Sequence, residues 1–350
     1  MGKLTILRRP STDSMNQTGL GKYADSVEKC LENEGMEFDS ISFGISLNEG
    51  LLNLFVNGFV RPLMSVLRNN RRDRTFHATD ELCGIFFPLI RGRKILTVHH
   101  VIRNGEYRGI LYYALWNLVT AMAIKSADRV IAISVPTKKE IIDKFGVDPD
   151  KVICVTNRID DEYRILGSVE KEKMIGCLGM LIPRKNTASV INAFKLLSEH
   201  EYMSDYRLEI CGKGPEKEKL LRITADLGIS DRVRFVSDLS NEEIVRFYNR
   251  SALIFNASLH EGIGLVTLEA QRCGTPVLHL KGAEIPEDVT RFSIPCADES
   301  DMADKAYGLL TDAERYMELA ASSKKYADSF GEGYCKRFVG ILKTDDRFMP

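Results

Sequence analysis

The sequence predicts an α/β protein made of two doubly wound domains, each a parallel sheet with helices on both faces. Three observations carry that prediction. The chain has 350 residues, too many for one comfortable core and suited to two. Short apolar runs alternate with amphipathic stretches almost throughout, and strand–helix alternation implies parallel sheets covered on both faces. The alternation pauses once, at the polar segment RIDDEYRILGSVEKEK after Asn157, and then restarts. Two blocks joined by one linker place domains at 1–160 and 161–328, facing across a cleft. In open parallel sheets, ligands bind beyond the carboxyl ends of the strands.

In the first block KLTIL, SISFGI, RTFHAT, KILTVHH, DRVIAIS and KVICVTN read as strands. Between them YADSVEKCLENEG and YRGILYYALWNLVTAMAIKSA read as helices. In the second block KMIGCLGML, YRLEICG, RVRFVSD, ALIFNAS and PVLHL read as strands, each followed by a helical pattern. Asp160 and Asp161 fall in the linker and read as solvated. Residues 47–74 are rich in Leu, Phe and Val and end in four arginines, but Asn53, Asn57, Arg61 and Pro62 interrupt them. No membrane span fits there. The segment reads either as a helix packed on the first sheet with a solvated arginine turn, or as a peripheral membrane surface that meets a lipid-linked or anionic acceptor.

Composition excludes several classes. Hydrophobic residues are 44% and charged residues 28%, as in ordinary soluble globular proteins. The net charge of −1 gives no global field favouring nucleic acid. Residues 1–160 carry 22 Lys and Arg against 18 Asp and Glu, and the remainder 26 against 31, so the first half is mildly basic. The 8 cysteines form no CxxC pair. Reduced, buried thiols of a cytosolic protein are the expectation, with neither a disulfide framework nor a zinc site. The start, MGKLTILRRPST, lacks the apolar core of a signal peptide and reads as a first strand. Ile6 stands where a myristoylation signal needs Ser or Thr.

The chemistry concentrates in HEGIGLVTLEAQRCGTP, residues 260–276. ALIFNAS is a strand and TLEAQRC a helix, with Gly274 as its stop, so Glu261 lies in a loop at a strand's carboxyl end. Residues Gly262 to Val266 form the turn into the helix. Their amides and the helix dipole make that turn an anion site. Glycines there let a ligand approach the backbone closely. Glu269 sits one turn inside the helix, and helical side chains lean back toward the N-terminus. A carboxylate offers two acceptor oxygens, which suit paired sugar hydroxyls. The ligand so described has hydroxyls at both ends and a phosphate between, as a nucleotide sugar does.

This stretch resembles the donor-site motif of the retaining family 4 glycosyltransferases, also called glycosyltransferase group 1. The resemblance extends over LGMLIPRKNTASVINAFKLL and CGKGPEKEKLLRITADLGISDRVRFVSDLSNEEIVRFYNRSALIFNASLHEG. In the first half TGLGKYADSVEKCL, TVHH and ADRVIAISVPTKKEIIDKFGVDPDKVICVTN also match. It implies the GT-B fold, with Rossmann-like sheets in both domains and a final helix, within 329–350, returning to pack on the first. It implies an acceptor-side first domain and a donor-binding second one.

The resemblance also implies roles. Glu269 binds the donor's ribose hydroxyls, and Glu261 contacts the transferred sugar. The amides around Gly262, Ile263, Gly264 and Leu265 hold phosphate and sugar. Lys185, with Arg184 beside it, faces the diphosphate. The family's usual Arg after the loop glycine is replaced by Met180 after Gly179. His99 of TVHH contacts the transferred sugar, and His100 replaces the usual Asp. Gly19 and Gly21 lie in a glycine-rich loop near the diphosphate. His77, at a strand end, is expected on the acceptor side. No metal and no cofactor are implied. The donor is a UDP- or GDP-linked sugar, and the acceptor a glycan or lipid-linked glycan at the cytosolic membrane face. A degenerate relative that binds a nucleotide sugar or a partner enzyme without catalysis is the alternative, favoured by Met180 and His100.

Overall fold

The computed structural model describes residues 3–10, 19–44, 55–103 and 109–344. The chain divides into two compact units, residues 1–158 with 331–350, and residues 159–330. The first contains β1 (Leu4–Arg8), α1 (Gly19–Asn33), β2 (Phe38–Ser42), α2 (Arg61–Asn69), β3 (Thr75–Ala78), β4 (Arg93–Val98), α3 (Gly109–Ser126), β5 (Arg129–Ala132), α4 (Val135–Phe145) and β6 (Val152–Cys154). The second contains β7 (Met174–Leu178), α5 (Thr187–Leu197), β8 (Arg207–Cys211), α6 (Lys217–Asp226), β9 (Val233–Val236), α7 (Asn241–Arg250) and β10 (Leu253–Asn256). It continues with α8 (Leu265–Arg272), β11 (Val277–Leu280), α9 (Glu287–Thr290), β12 (Ile294–Cys296), α10 (Glu299–Leu310) and α11 (Ala313–Ser329). The chain then returns to the first unit as α12 (Tyr334–Lys343).

Both sheets have six parallel strands. Their orders are β2-β1-β3-β4-β5-β6 and β12-β11-β10-β7-β8-β9. In the first, Leu4 pairs with Phe38 on one side and Thr75 on the other. Strand residues alternate between faces. Leu7, Phe76, Leu96 and Val130 therefore enter one core. Ile6, Ile95 and Ile131 enter the other, with Val27 and Leu31 of α1 and Phe338, Val339 and Leu342 of α12. Arg93 fixes α12 further by donating to the carbonyls of Leu342 (2.9 Å) and Ile341 (3.0 Å). In the second unit Ile175, Leu208, Phe255 and Leu278 pack with Phe194 of α5 and Met302 of α10. Local signals set the helix ends. Ser134 caps α4 through the Thr137 amide, and Ser240 and Glu243 form a reciprocal capping box on α7.

One expectation changes. Cys30 of α1 and Cys335 of α12 form a disulfide, whereas sequence reasoning left all eight cysteines reduced. Their pairing depends on α12 returning across 305 residues, so no local spacing announces it. Cys83, Cys177, Cys211, Cys273 and Cys296 are free and buried, and Cys154 is half-buried. Residues 47–54 lie outside the described residues. From Phe55 the segment is helical, a π-helical turn (Val56–Val60) running into α2. Pro62 follows the π-helical turn at the start of α2 and is buried. Val66 is buried, but Phe55, Phe59, Met64 and Leu67 are exposed, so the helix packs by one side only.

Candidate active site

In the second sheet the chain runs outward from β7 through β8 to β9, then returns to β10 on the other side of β7. That reversal opens a crevice beyond the carboxyl ends of β7 and β10, where ligands bind in such sheets. The β7 exit passes through a 3₁₀ turn, Pro183–Lys185, and enters α5. The β10 exit lies beside it, and the Leu259 amide donates to the Arg184 carbonyl at 2.9 Å. The packing is close. A Cβ on Gly212, after β8, would meet the Gly179 carbonyl oxygen at 1.8 Å, so only glycine fits in the CGKG stretch.

This arrangement brings Glu261, Arg184 and Lys185 together. Arg184 donates through one Nη to Glu261 Oε2 and to the His260 carbonyl, both at 2.9 Å. Lys185 Nζ donates to Glu261 Oε1. The Glu261 side chain is only 9% exposed. Burial alone would raise its pKa. The charges of Lys185 and Arg184 and hydrogen bonds from Lys185 and Ser258 outweigh that and hold it at about 2. Glu261 is therefore an anion at neutral pH, and neither cation points to solvent. Met180 is exposed.

Next to this cluster α8 begins. Gly264 takes a left-handed conformation, φ 88°, at its N-cap, which a side chain would strain. Gly262 is half-buried and Ile263 buried. The Thr267 amide donates to the Gly264 carbonyl at 3.1 Å, while the amides of Leu265 and Val266 come before the first helical hydrogen bond. Glu269, one turn on, accepts a hydrogen bond at Oε2 from the Tyr248 hydroxyl of α7 (2.8 Å). Tyr163 bonds to the same carboxylate. Both tyrosines are buried, their rings edge to face at 6.0 Å. Burial first, and the Glu269 charge second, push both hydroxyls above their usual pKa, so both act as donors. Thr275 of the Gly-Thr-Pro end is buried and donates to the Tyr248 carbonyl at 2.6 Å.

The linker reading also changes. Arg272, one turn beyond Glu269, donates to the carbonyls of Ile159 (2.8 Å) and Asp160 (3.0 Å). It also pairs with Asp161 and Asp328, each at 3.3 Å. Asp160 is thus tied to α8 through its carbonyl and Asp161 through its carboxylate, which stays 61% exposed to solvent.

Of the residues expected in the first unit, His77 falls elsewhere. His77 is fully buried inside the sheet, bonded through Nε2 to Thr97 Oγ1 (2.9 Å) and against the Phe338 ring. Burial, with a smaller effect of His99, lowers its pKa to about 3. It is a neutral core residue and lines no surface. His99 is buried at the exit of β4. Its amide donates to Glu81 Oε1 (3.0 Å), its Nε2 to the Thr79 carbonyl (2.8 Å), and its ring meets Tyr23 edge-on. Burial holds its pKa down. Gly19 and Gly21 open α1 and are helical, not part of a loop; residues 11–18 lie outside the described residues.

Sequence reasoning missed Tyr163, Tyr248 and a pair in the first unit, Arg9 and Asp80 (2.9 Å). The tyrosines carry no local motif. Arg9 and Asp80 had a signal, charge just beyond the ends of β1 and β3. Among the described residues no group of three or more His, Cys, Asp or Glu is placed to hold a metal ion.

Two six-stranded parallel sheets, one with a carboxylate and two cations at its reversal point, define the class as the GT-B fold. Solved structures share it. WaaG, "a glycosyltransferase involved in lipopolysaccharide biosynthesis", matches with a TM-score of 0.75 over 98% of this chain and 100% of its own, at 14% identity. HepE of Anabaena, solved with UDP, matches at 0.71 over 97% and 99%, at 16% identity. The model of Glycosyl transferases group 1 matches residues 158–327, and that of Glycosyltransferase Family 4 matches 23–163. The chain belongs to this glycosyltransferase family. The Serotype-specific mannosyltransferase WbdA of Escherichia coli is 29% identical over 245 residues, 63% of this chain and 30% of WbdA. The chain spans between 27% and 54% of the length of the curated relatives it matches.

Proposed function

We propose that the protein is a retaining glycosyltransferase that moves one sugar from a nucleotide donor to a hydroxyl of a glycan or lipid-linked glycan, without a metal ion. The observation that carries this reading is Glu261 held between Arg184 and Lys185 beside the open N-terminus of α8. A donor diphosphate seated on the α8 amides lies next to two cations that are already desolvated. As the bond between the sugar's anomeric carbon and the diphosphate breaks, charge builds on the diphosphate oxygens. Lys185, Arg184 and the amides stabilise it. The acceptor oxygen forms its bond on the same face, and a donor phosphate oxygen takes its proton. Glu261, ionised at neutral pH, accepts from sugar hydroxyls and gives no proton. Glu269 is oriented by Tyr248 and Tyr163, leaving its other acceptor sites for the ribose hydroxyls.

Arg184 supplies the second cation where Met180 stands in place of the family's Arg. We take UDP- and GDP-linked sugars as the candidate donors, the first supported by the UDP bound in HepE. No further cofactor and no nucleic acid enter, and the acceptor is reached at the cytosolic face of a membrane. The binding-only alternative rests on Met180 and His100. A panel of nucleotide sugars, followed by thermal shift and slow donor hydrolysis, separates the two. One donor is expected to be hydrolysed at the same rate with and without EDTA. A thermal shift without hydrolysis would favour the binder. Loss in EDTA restored by magnesium or manganese would overturn the metal-free reading.

A further inference from the structure

The first unit ties its returning helix to the exit of β4 through one buried run of contacts. Tyr23, Val27, Cys30 and Leu31 recur at helical spacing and share one core. Cys30 is joined to Cys335 of α12. Tyr334, beside Cys335, is buried, and its hydroxyl reaches Tyr23. The Tyr23 hydroxyl meets Thr97 Oγ1 of β4 at 3.0 Å. The Tyr23 ring stands edge-on to His99, with centroids 4.6 Å apart. The two ends of α12 are held differently. Arg93 binds the carbonyls of Ile341 and Leu342 at the far end. The near end is entered through Gly331 and Gly333, both left-handed (φ 75° and 73°), and there the disulfide makes the tie. Opening that bond would loosen Tyr334 while Leu342 stays in place.

The His99 ring has two fixed points, the Thr79 carbonyl at Nε2 and the Tyr23 ring. A carbonyl only accepts, so Nε2 carries the proton and Nδ1 is the accepting nitrogen. An accepting nitrogen at the carboxyl end of a parallel strand suits a substrate hydroxyl. We propose that Tyr23 positions His99 for sugar transfer and that the Cys30–Cys335 bond keeps Tyr23 in place, so that transfer slows when the bond is reduced. The inference rests on the transferase reading, with His99 meeting the transferred sugar. Reduction is exchange with a dithiol, which passes two electrons and two protons to the pair. Its thiolate attacks Sγ of Cys335, the half-buried member, and Cys30 leaves as a thiolate that takes up a proton. The dithiol's second thiolate then closes on the mixed disulfide and releases Cys335 as a thiol. In a reducing compartment the pair closes only when conditions turn oxidising, which links transfer to redox state.

The test compares the full chain oxidised and reduced with dithiothreitol. Peptide mapping before reduction should recover Cys30 and Cys335 joined. Reduction should lower kcat for hydrolysis of the nucleotide sugar that the donor panel selects. The fall should be about twofold to tenfold, the worth of one aromatic edge contact. Affinity for the nucleoside diphosphate, which lacks the sugar, should not change. Tyr23→Leu removes the ring and should slow hydrolysis as much. Tyr23→Phe keeps the ring and should lie between Tyr23→Leu and wild type. Reducing Tyr23→Leu should cost nothing more, because the bond acts through the missing ring. Cys335→Ser should start slow and ignore the reductant. An unchanged wild-type rate, unjoined cysteines, or an equal further loss in Tyr23→Leu overturns the proposal. So does reduction that melts the first unit at the assay temperature, which would make the bond a staple of the fold. Histidine NMR makes the test independent of turnover. The His99 imidazole signals, assigned with His99→Gln, should move on reduction of wild type and stay fixed on reduction of Tyr23→Leu. If no nucleotide sugar is hydrolysed, the transferase reading fails by itself, and those signals still decide whether the bond positions His99.

Discussion

The two sheets reverse direction at equivalent places, and each reversal carries a carboxylate against a cation. In the second unit Glu261, beyond β10, meets Arg184 and Lys185, beyond β7. In the first unit Asp80, beyond β3, meets Arg9, beyond β1. The partners around them differ. Asp80 spends its other contacts on its own turn, accepting from the Leu82 and Cys83 amides at 2.8 and 3.0 Å. Its neighbour Glu81 accepts the His99 amide and is 2% exposed. Glu261 has an open helix start beside it and an excess of positive charge. Topology fixes where a crevice forms. Whether its charges serve a ligand or the fold depends on whether backbone groups already satisfy them.

The largest expected effect breaks the comparison on the structural side. Burial, then the Asp80 charge, raises Glu81 from an ordinary 4.5 to about 7. A carboxyl raised on folding binds more protons in the native state than in the unfolded one, so its contribution to stability falls as pH climbs through this window. The cost is complete above pH 7 and absent below about 4.5. Glu81→Gln keeps an acceptor for the His99 amide and removes the charge. It should stabilise the protein at pH 8 by roughly 3 kcal/mol, the size of that shift, and by nothing at pH 4. Urea melts at both values check this. Equal stability at pH 8 would mean that Glu81 is no desolvated strut.

Next comes the ligand side. Lys185→Ala removes a desolvated cation from the proposed diphosphate site and should lower kcat on the order of a hundredfold, as does loss of one preorganised donor in an oxyanion site. Arg184→Ala should cost a comparable amount, because its guanidinium is directed at Glu261 and not at solvent. Single-turnover transfer rates decide. A Lys185→Ala enzyme as fast as wild type would make both reversal points structural.

The contrast also explains what was legible beforehand. The strand and helix blocks and the order of strand, carboxylate, turn and helix in residues 260–276 could be read in the sequence, because these follow one another locally; the helix begins at Leu265, earlier than expected. The first unit's details could not. His77 ends a strand as ligand-facing residues do, yet burial by Phe338 and Thr97 from distant segments makes it core. The Cys30–Cys335 bond, the Tyr248–Glu269 contact and the Arg272 anchor likewise join residues whose meeting only the assembled fold determines.

Glu269→Ala should weaken nucleoside diphosphate binding roughly tenfold or more, since a hydrogen bond to a charged group is worth about 1.5–3 kcal/mol. Calorimetry with the ribonucleotide reads this directly, and unchanged affinity would remove the ribose assignment.

The smallest effect is the most discriminating. Tyr248 touches Glu269 through one hydroxyl, and its ring belongs to the core of the second unit. Tyr248→Phe keeps the ring and releases one carboxylate oxygen, so Glu269 loses orientation but not charge. Affinity for the ribonucleoside diphosphate should fall about threefold, the low end of a neutral donor's net worth. Affinity for the 2′,3′-dideoxy analogue, which lacks the hydroxyls, should not change. A structural defect would weaken both ligands alike, whereas a positioning role narrows only the difference between them. If wild type itself does not prefer the ribonucleotide, Glu269 does not read ribose. If wild type prefers it and Tyr248→Phe keeps the full preference, Glu269 holds its place without the tyrosine.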